Sequence, residues 1–161
     1  MNCRIVNEES FYVLGKTSVH STAGGRNKRS IPAFWDECRA DGTIGTLLNA
    51  ASDAEYVFGI CFEAKNGGEE FDYAIAVRCE KDAPVPHGFV KTLFPARTWA
   101  VFECVGAMPD AIQKLWNEIS AKYFPNAPYR PTGEAEIEAY PDGDVSGEGY
   151  RCEIRIPVVK K

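Results

Sequence analysis

The chain has 161 residues, with 18 Lys+Arg against 23 Asp+Glu, a net charge of −5 and an apolar fraction of 45%. That is enough for one domain whose core needs neither metal nor disulfide, and it excludes disordered, collagen-like and coiled-coil classes. The acidic balance argues against direct nucleic-acid binding, which needs a basic face, and leaves cationic small molecules open as partners.

No run approaches the roughly 20 apolar residues of a membrane span. The opening Met-Asn-Cys-Arg-Ile-Val-Asn-Glu-Glu has no secretory signature, so a cytoplasmic, reducing setting is expected. Cys3, Cys38, Cys61, Cys79, Cys104 and Cys152 contain no C-x-x-C pair. They read as free thiols, most of them small core residues, with no metal or other cofactor implied.

In chain order, Phe11 to Val19 reads as a strand, rich in aromatic and β-branched residues. His20 to Ser30 reads as a polar loop, and Ser30 as the cap of a helix with Pro32 in its first turn. That helix presents Phe34, Trp35 and Cys38. Tyr56 to Glu63 and Phe71 to Cys79 read as strands joined by a Lys-Asn-Gly-Gly turn. Pro84 and Pro86 mark a linker. Thr98 to Cys104 reads as a strand. Asp110 to Phe124 reads as a helix, with Ile112, Leu115, Trp116 and Ile119 on one face. Glu134 to Tyr140 and Tyr150 to Val159 complete the strands.

The order β-α-β-β thus occurs twice, over about 9–80 and about 96–159. The expectation is one α+β domain of two pseudo-repeats, with antiparallel sheets, a helix on one side of each half and a ligand groove between the halves. Trp35 and Trp116 take the same place in the two helices. Alternation puts Glu134, Glu136, Glu138 and Tyr140 on one strand face and Ala135, Ile137 and Ala139 on the other. The apolar set is expected to pack on the helix. The glutamates then face solvent or the groove, and periodicity leaves both open. In the first half, Tyr56, Phe58, Ile60 and Phe62 are the expected helix-facing set, and pseudo-symmetry sets Cys61 against Glu138.

The run from Ala96 to Gly106, the segment Ala135-Glu-Ile-Glu-Ala-Tyr-Pro141 and the closing Glu153-Ile-Arg-Ile-Pro-Val158 resemble the GyrI-like family. Phe58-Gly-Ile-Cys-Phe62 and Phe71 to Val77 fit the same pattern. The resemblance covers Phe11 to Val159. It implies the duplicated fold and a pocket between the halves, as in effector-binding domains of AraC-type and multidrug-responsive transcription regulators. It also implies that Glu138, and less firmly Tyr140, sit in the pocket, although Ile137 replaces the family's usual aromatic. Glu134 and Glu136 stay with the solvated face.

Flat aromatic walls would add cation–π and stacking contacts to such a carboxylate. The candidates are Trp35, Tyr73, Trp99, Phe102, Tyr140 and Tyr150. Core packing is the alternative for each, and the preferred one for Trp35. Trp99 and Phe102 point to opposite faces of one strand, so at most one can face the groove.

His20 and His87 lie in polar sequence and read as surface residues. The stretch Gly24 to Ser30 lacks phosphate-loop spacing, and Asp142 and Asp144 lack the rest of a calcium loop. The resemblance to the GyrI-like family, which includes gyrase inhibitors and hydrolases, implies three possible functions. One is a binding protein for small hydrophobic or cationic ligands, with a drug-sensing or transcription-effector role. Another is a hydrolase using Glu138 as acid/base. The third is an interaction protein that partners a regulator or gyrase. No segment is left for a helix-turn-helix, so a stand-alone protein is expected.

Overall fold

The computed structural model describes all 161 residues. The first half runs β2 (Phe11–Ser21), α1 (Asn27–Ala40), α2 (Thr43–Ala50), β3 (Val57–Ala64) and β4 (Glu70–Cys79). The second runs β6 (Arg97–Val105), α3 (Asp110–Glu118), β8 (Glu136–Tyr140) and β9 (Arg151–Lys160). Three short strands are added: β1 (Cys3–Glu8), β5 (Val90–Phe94) and β7 (Tyr129–Pro131). A π-helical turn, Ile119–Tyr123, prolongs α3. The fold is α+β with a duplicated core, and no helix is long and apolar enough to cross a membrane.

The halves do not form two separate small sheets. They join through β3 and β8 into one nine-stranded antiparallel sheet, ordered β1-β6-β9-β8-β3-β4-β2-β5, with β7 on β9. Reading outward from the central pair, β3-β4-β2 on one side answers β8-β9-β6 on the other. One added strand, β5 or β1, then flanks each end. Joining the central strands satisfies two edges that separate sheets would leave unpaired.

Both helical layers cover the same face of this sheet. Phe34, Cys38 and Leu47 pack on Leu14, Tyr73, Ile75 and Val77. Ile112, Leu115 and Ile119 pack on Phe102, Cys104, Cys152 and Ile154. The opposite face has a core of its own, because the sheet curls until its two ends meet. The Phe94 and Trp99 rings lie 6.3 Å apart across that closure, and Glu8 of β1 reaches Arg78 of β4 at 3.5 Å. Ala135, Ile137 and Ala139 of β8 and Phe58 and Ile60 of β3 fill this inner core.

Both expected helix-facing sets are therefore corrected. They pack inside the curl, and Glu136 and Glu138 face the helices. Small residues suit the inside of a curved sheet, where opposing strands approach closely.

Two local expectations also change. α1 begins at Asn27, so Pro32 lies inside it and leaves the Lys28 carbonyl without its usual donor. Ser30 does not cap the helix; its hydroxyl lies 2.7 Å from His20 Nδ1. His20 is buried, not on the surface, among Phe34, Phe71 and Tyr73, and that burial lowers its pKa.

Candidate functional site

The two helical layers leave a cleft between them, with α1 and α2 as one wall and α3 as the other. β3 and β8 form its floor, and its volume is about 1100 Å³. The strand period brings Val57 and Cys61 of β3, and Glu136, Glu138 and Tyr140 of β8, to this floor. Trp35 of α1 and Trp116 of α3 line its two walls.

Glu138 is the polar centre. Its side chain is buried, 9% exposed. Trp116 Nε1 donates to Oε1 at 2.8 Å; Tyr140 and Tyr73 donate their hydroxyls to Oε2 at 2.9 and 3.2 Å. Tyr73 in turn accepts from Trp35 Nε1 at 2.9 Å. One carboxylate thus ties both cleft walls to the floor, α3 directly and α1 through Tyr73.

All four of these donors are neutral, and no ion pair in the chain involves Glu138. Burial pushes its pKa up, while the Trp116, Tyr140 and Tyr73 hydrogen bonds pull it back. Burial and the Glu138 charge hold the Tyr73 and Tyr140 phenols well above their ordinary pKa, so both remain donors.

The space for this hub comes from the other half. Register places Gly59 opposite Glu138, and Cys61 opposite Glu136 rather than Glu138. A Cβ on Gly59 would stand 2.0 Å from the Tyr73 hydroxyl oxygen and 3.1 Å from Glu138 Oε2. A glycine inside a strand often marks close approach of another group, and that signal was present in Phe58-Gly-Ile60.

The other candidates separate cleanly. Tyr140 and Trp35 are half-buried on the cleft, their rings edge to face at 5.3 Å. Trp35 is therefore not a pure core residue. Tyr150 lines the cleft and donates to the Pro141 carbonyl at 2.6 Å. Tyr73 is fully buried behind Glu138. Trp99 and Phe102 are corrected, since neither reaches the cleft. Trp99 fills the inner core, and Phe102 lies under Tyr123 and Phe124.

Trp116 is the residue missed, though its repeat partner Trp35 pointed to it. Glu136 is a second correction, because it lines the cleft instead of a solvated face. Burial, and then the Glu138 charge, push its pKa up to about 7. Glu134 does stand outside, exposed and 3.3 Å from Arg97. No group of three or more His, Cys, Asp or Glu side chains is placed to hold a metal ion.

Known proteins share this architecture. SAV2435, solved bound to tetraphenylphosphonium, superposes with a TM-score of 0.87 at 24% identity, covering 99% of this chain and 94% of that one. An integron cassette protein of Vibrio cholerae superposes with a TM-score of 0.69 at 21% identity, over 98% and 95% of the two chains. The transcriptional regulator BrlR of Pseudomonas aeruginosa is 29% identical over 127 residues, 76% of this chain. The chain spans less than half of that regulator, 43% of its length. The Cass2 family of integron-associated effector binding proteins matches residues 4–158, and the chain belongs to that family.

Proposed function

We propose that the cleft binds hydrophobic cations carrying flat aromatic groups, with Glu138 as their counter-charge, and that the domain acts as a sensor of such compounds. The observation that carries this reading is a buried carboxylate held by three neutral donors and no cationic side chain. Neutral donors orient the carboxylate and soften its burial, yet leave its charge uncompensated. A ligand cation completes the pair in a medium where the attraction exceeds its value in water. Trp35, Trp116 and Tyr140 supply electron-rich ring surfaces for the same charge. The likeness to tetraphenylphosphonium-bound SAV2435 supports the ligand class, and the relation to BrlR supports a place in transcriptional sensing.

Tetraphenylphosphonium and tetraphenylborate test the electrostatic part, because they share shape and differ in sign. Calorimetric titration at two salt concentrations should give measurable affinity for the cation and little or none for the anion. Equal affinities would leave an apolar cleft without charge selection and refute the role given to Glu138.

A further inference from the structure

The cleft floor carries two carboxylates in very different circumstances. Glu138 accepts three hydrogen bonds, whereas the side chain of Glu136, two residues earlier on β8, makes no hydrogen bond and no ion pair. The cations on the cleft lining do not neutralise it. Arg39 is engaged by Asp36 at 3.1 Å and by the Trp35 ring at 5.4 Å, and Lys28 forms no ion pair. Directly across from Glu136 stands the Cys61 thiol, which burial keeps protonated.

A single ligand cation seated on Glu138 would leave Glu136, once ionised, as an uncompensated carboxylate on the floor of a partly open cleft, which is costly. The cavity, about 1100 Å³, is larger than one compact aromatic cation needs. Side chains two residues apart on a strand stand about 6.5 Å from each other.

Resting on the cation-binding reading above, we propose that the preferred ligands are aromatic dications, one positive centre on Glu138 and a second about 6.5 Å away on Glu136. Glu136 is then the residue that separates dications from monocations, while Glu138 serves both.

Ethidium and propidium provide the probes, since propidium is the same phenanthridinium ring with a second, quaternary ammonium on a propyl tether. Titrations at pH 8, by calorimetry, compare the wild type with Glu136→Gln and Glu138→Gln. Glu136→Ala is a second variant, and thermal melts check folding.

The wild type should prefer propidium by about ten-fold or more. Either substitution at Glu136 should abolish that preference by weakening propidium, with ethidium held within about two-fold. Glu138→Gln should weaken both dyes. A propidium preference that is absent, or that survives both Glu136 substitutions, overturns the dication proposal. So does an equal loss for both dyes at Glu136, which would mean one cation shared by two carboxylates. In each of these cases a loss of both dyes in Glu138→Gln keeps the parent reading intact. If Glu138→Gln changes neither dye, or neither dye binds the wild type, the parent reading falls as well.

Discussion

The two central strands occupy matching places in the duplicated fold, yet they bring opposite things to the cleft. β8 contributes Glu136, Glu138 and Tyr140, all the floor's charge. β3 answers with Cys61, Gly59 and Val57, a row with no charge and little bulk. The duplication builds a symmetric frame of sheet and flanking helices. Chemistry arises where the symmetry fails, because two facing carboxylates across Gly59 and Glu138 would repel each other and exclude the tyrosine that now holds one of them. The tryptophans stay symmetric in position but differ in partner, since Trp116 meets Glu138 itself and Trp35 meets Tyr73.

The strongest way to break this division is to fill the empty side. Gly59→Ala drives a methyl into the Tyr73 hydroxyl and to 2.9 Å from the ring carbon that bears it, so the buried ring must move. A loss of about 2–4 kcal/mol is expected from overpacking and a broken buried hydrogen bond, read by urea unfolding. Because the tightest contact is with the hydroxyl, the loss should shrink in a Tyr73→Phe background, and a double-mutant cycle would register that coupling. Full additivity would show that Gly59 matters for some reason other than Tyr73.

Tyr73→Phe alone removes the link between α1 and the carboxylate. It strips one donor from Glu138 and the acceptor from Trp35 Nε1. The expected cost is about 1–2 kcal/mol, with the Glu138 pKa rising further as a lowering contact is lost. Unfolding curves and a carboxyl infrared titration check the two parts.

Glu136→Gln sharpens the comparison with the opposite sign. The Glu136 pKa, about 7 when folded, lies above the 4.5 of an unperturbed glutamate. The folded chain therefore holds the proton more tightly. That stabilisation is complete below pH 4.5 and is lost as pH rises through 7. At pH 8 the substitution should make the protein more stable by about 1–2 kcal/mol, and at pH 4 it should change little. Glu134→Gln, just before β8 and exposed beside Arg97, should shift stability by less than about 0.5 kcal/mol at either pH.

Much of this frame was legible from residue order alone. The β-α-β-β repeat, the helix face of Ile112, Leu115 and Ile119, and the alternation of β8 all follow from periodicity. The orientation of β8 did not. Alternation says which residues share a face; it does not say which face meets a helix. Assuming that apolar faces seek helices failed here because the curled sheet supplies a second core, closed by residues distant in sequence such as Glu8 and Arg78.

The short flanking strands β1, β5 and β7 were hidden for another reason. Each is held by a neighbour distant in sequence or by a single ladder, with little internal pattern to reveal it. The helix α2 was missed because Gly45 lies within it and Gly42 precedes it. At the site, Glu138 and Tyr140 came from a resemblance, whereas the Gly59 vacancy and the donor role of Trp116 needed the register between halves.

In the function proposed above, one buried, unneutralised carboxylate selects the ligand's charge. Titrating tetraphenylphosphonium into the wild type and into Glu138→Gln, with melts to confirm folding, tests it most directly. Glutamine preserves size and much of the hydrogen bonding while removing the charge. The expected result is an affinity loss of about 1–3 kcal/mol with the fold retained. An unchanged affinity in a folded Glu138→Gln protein would contradict it.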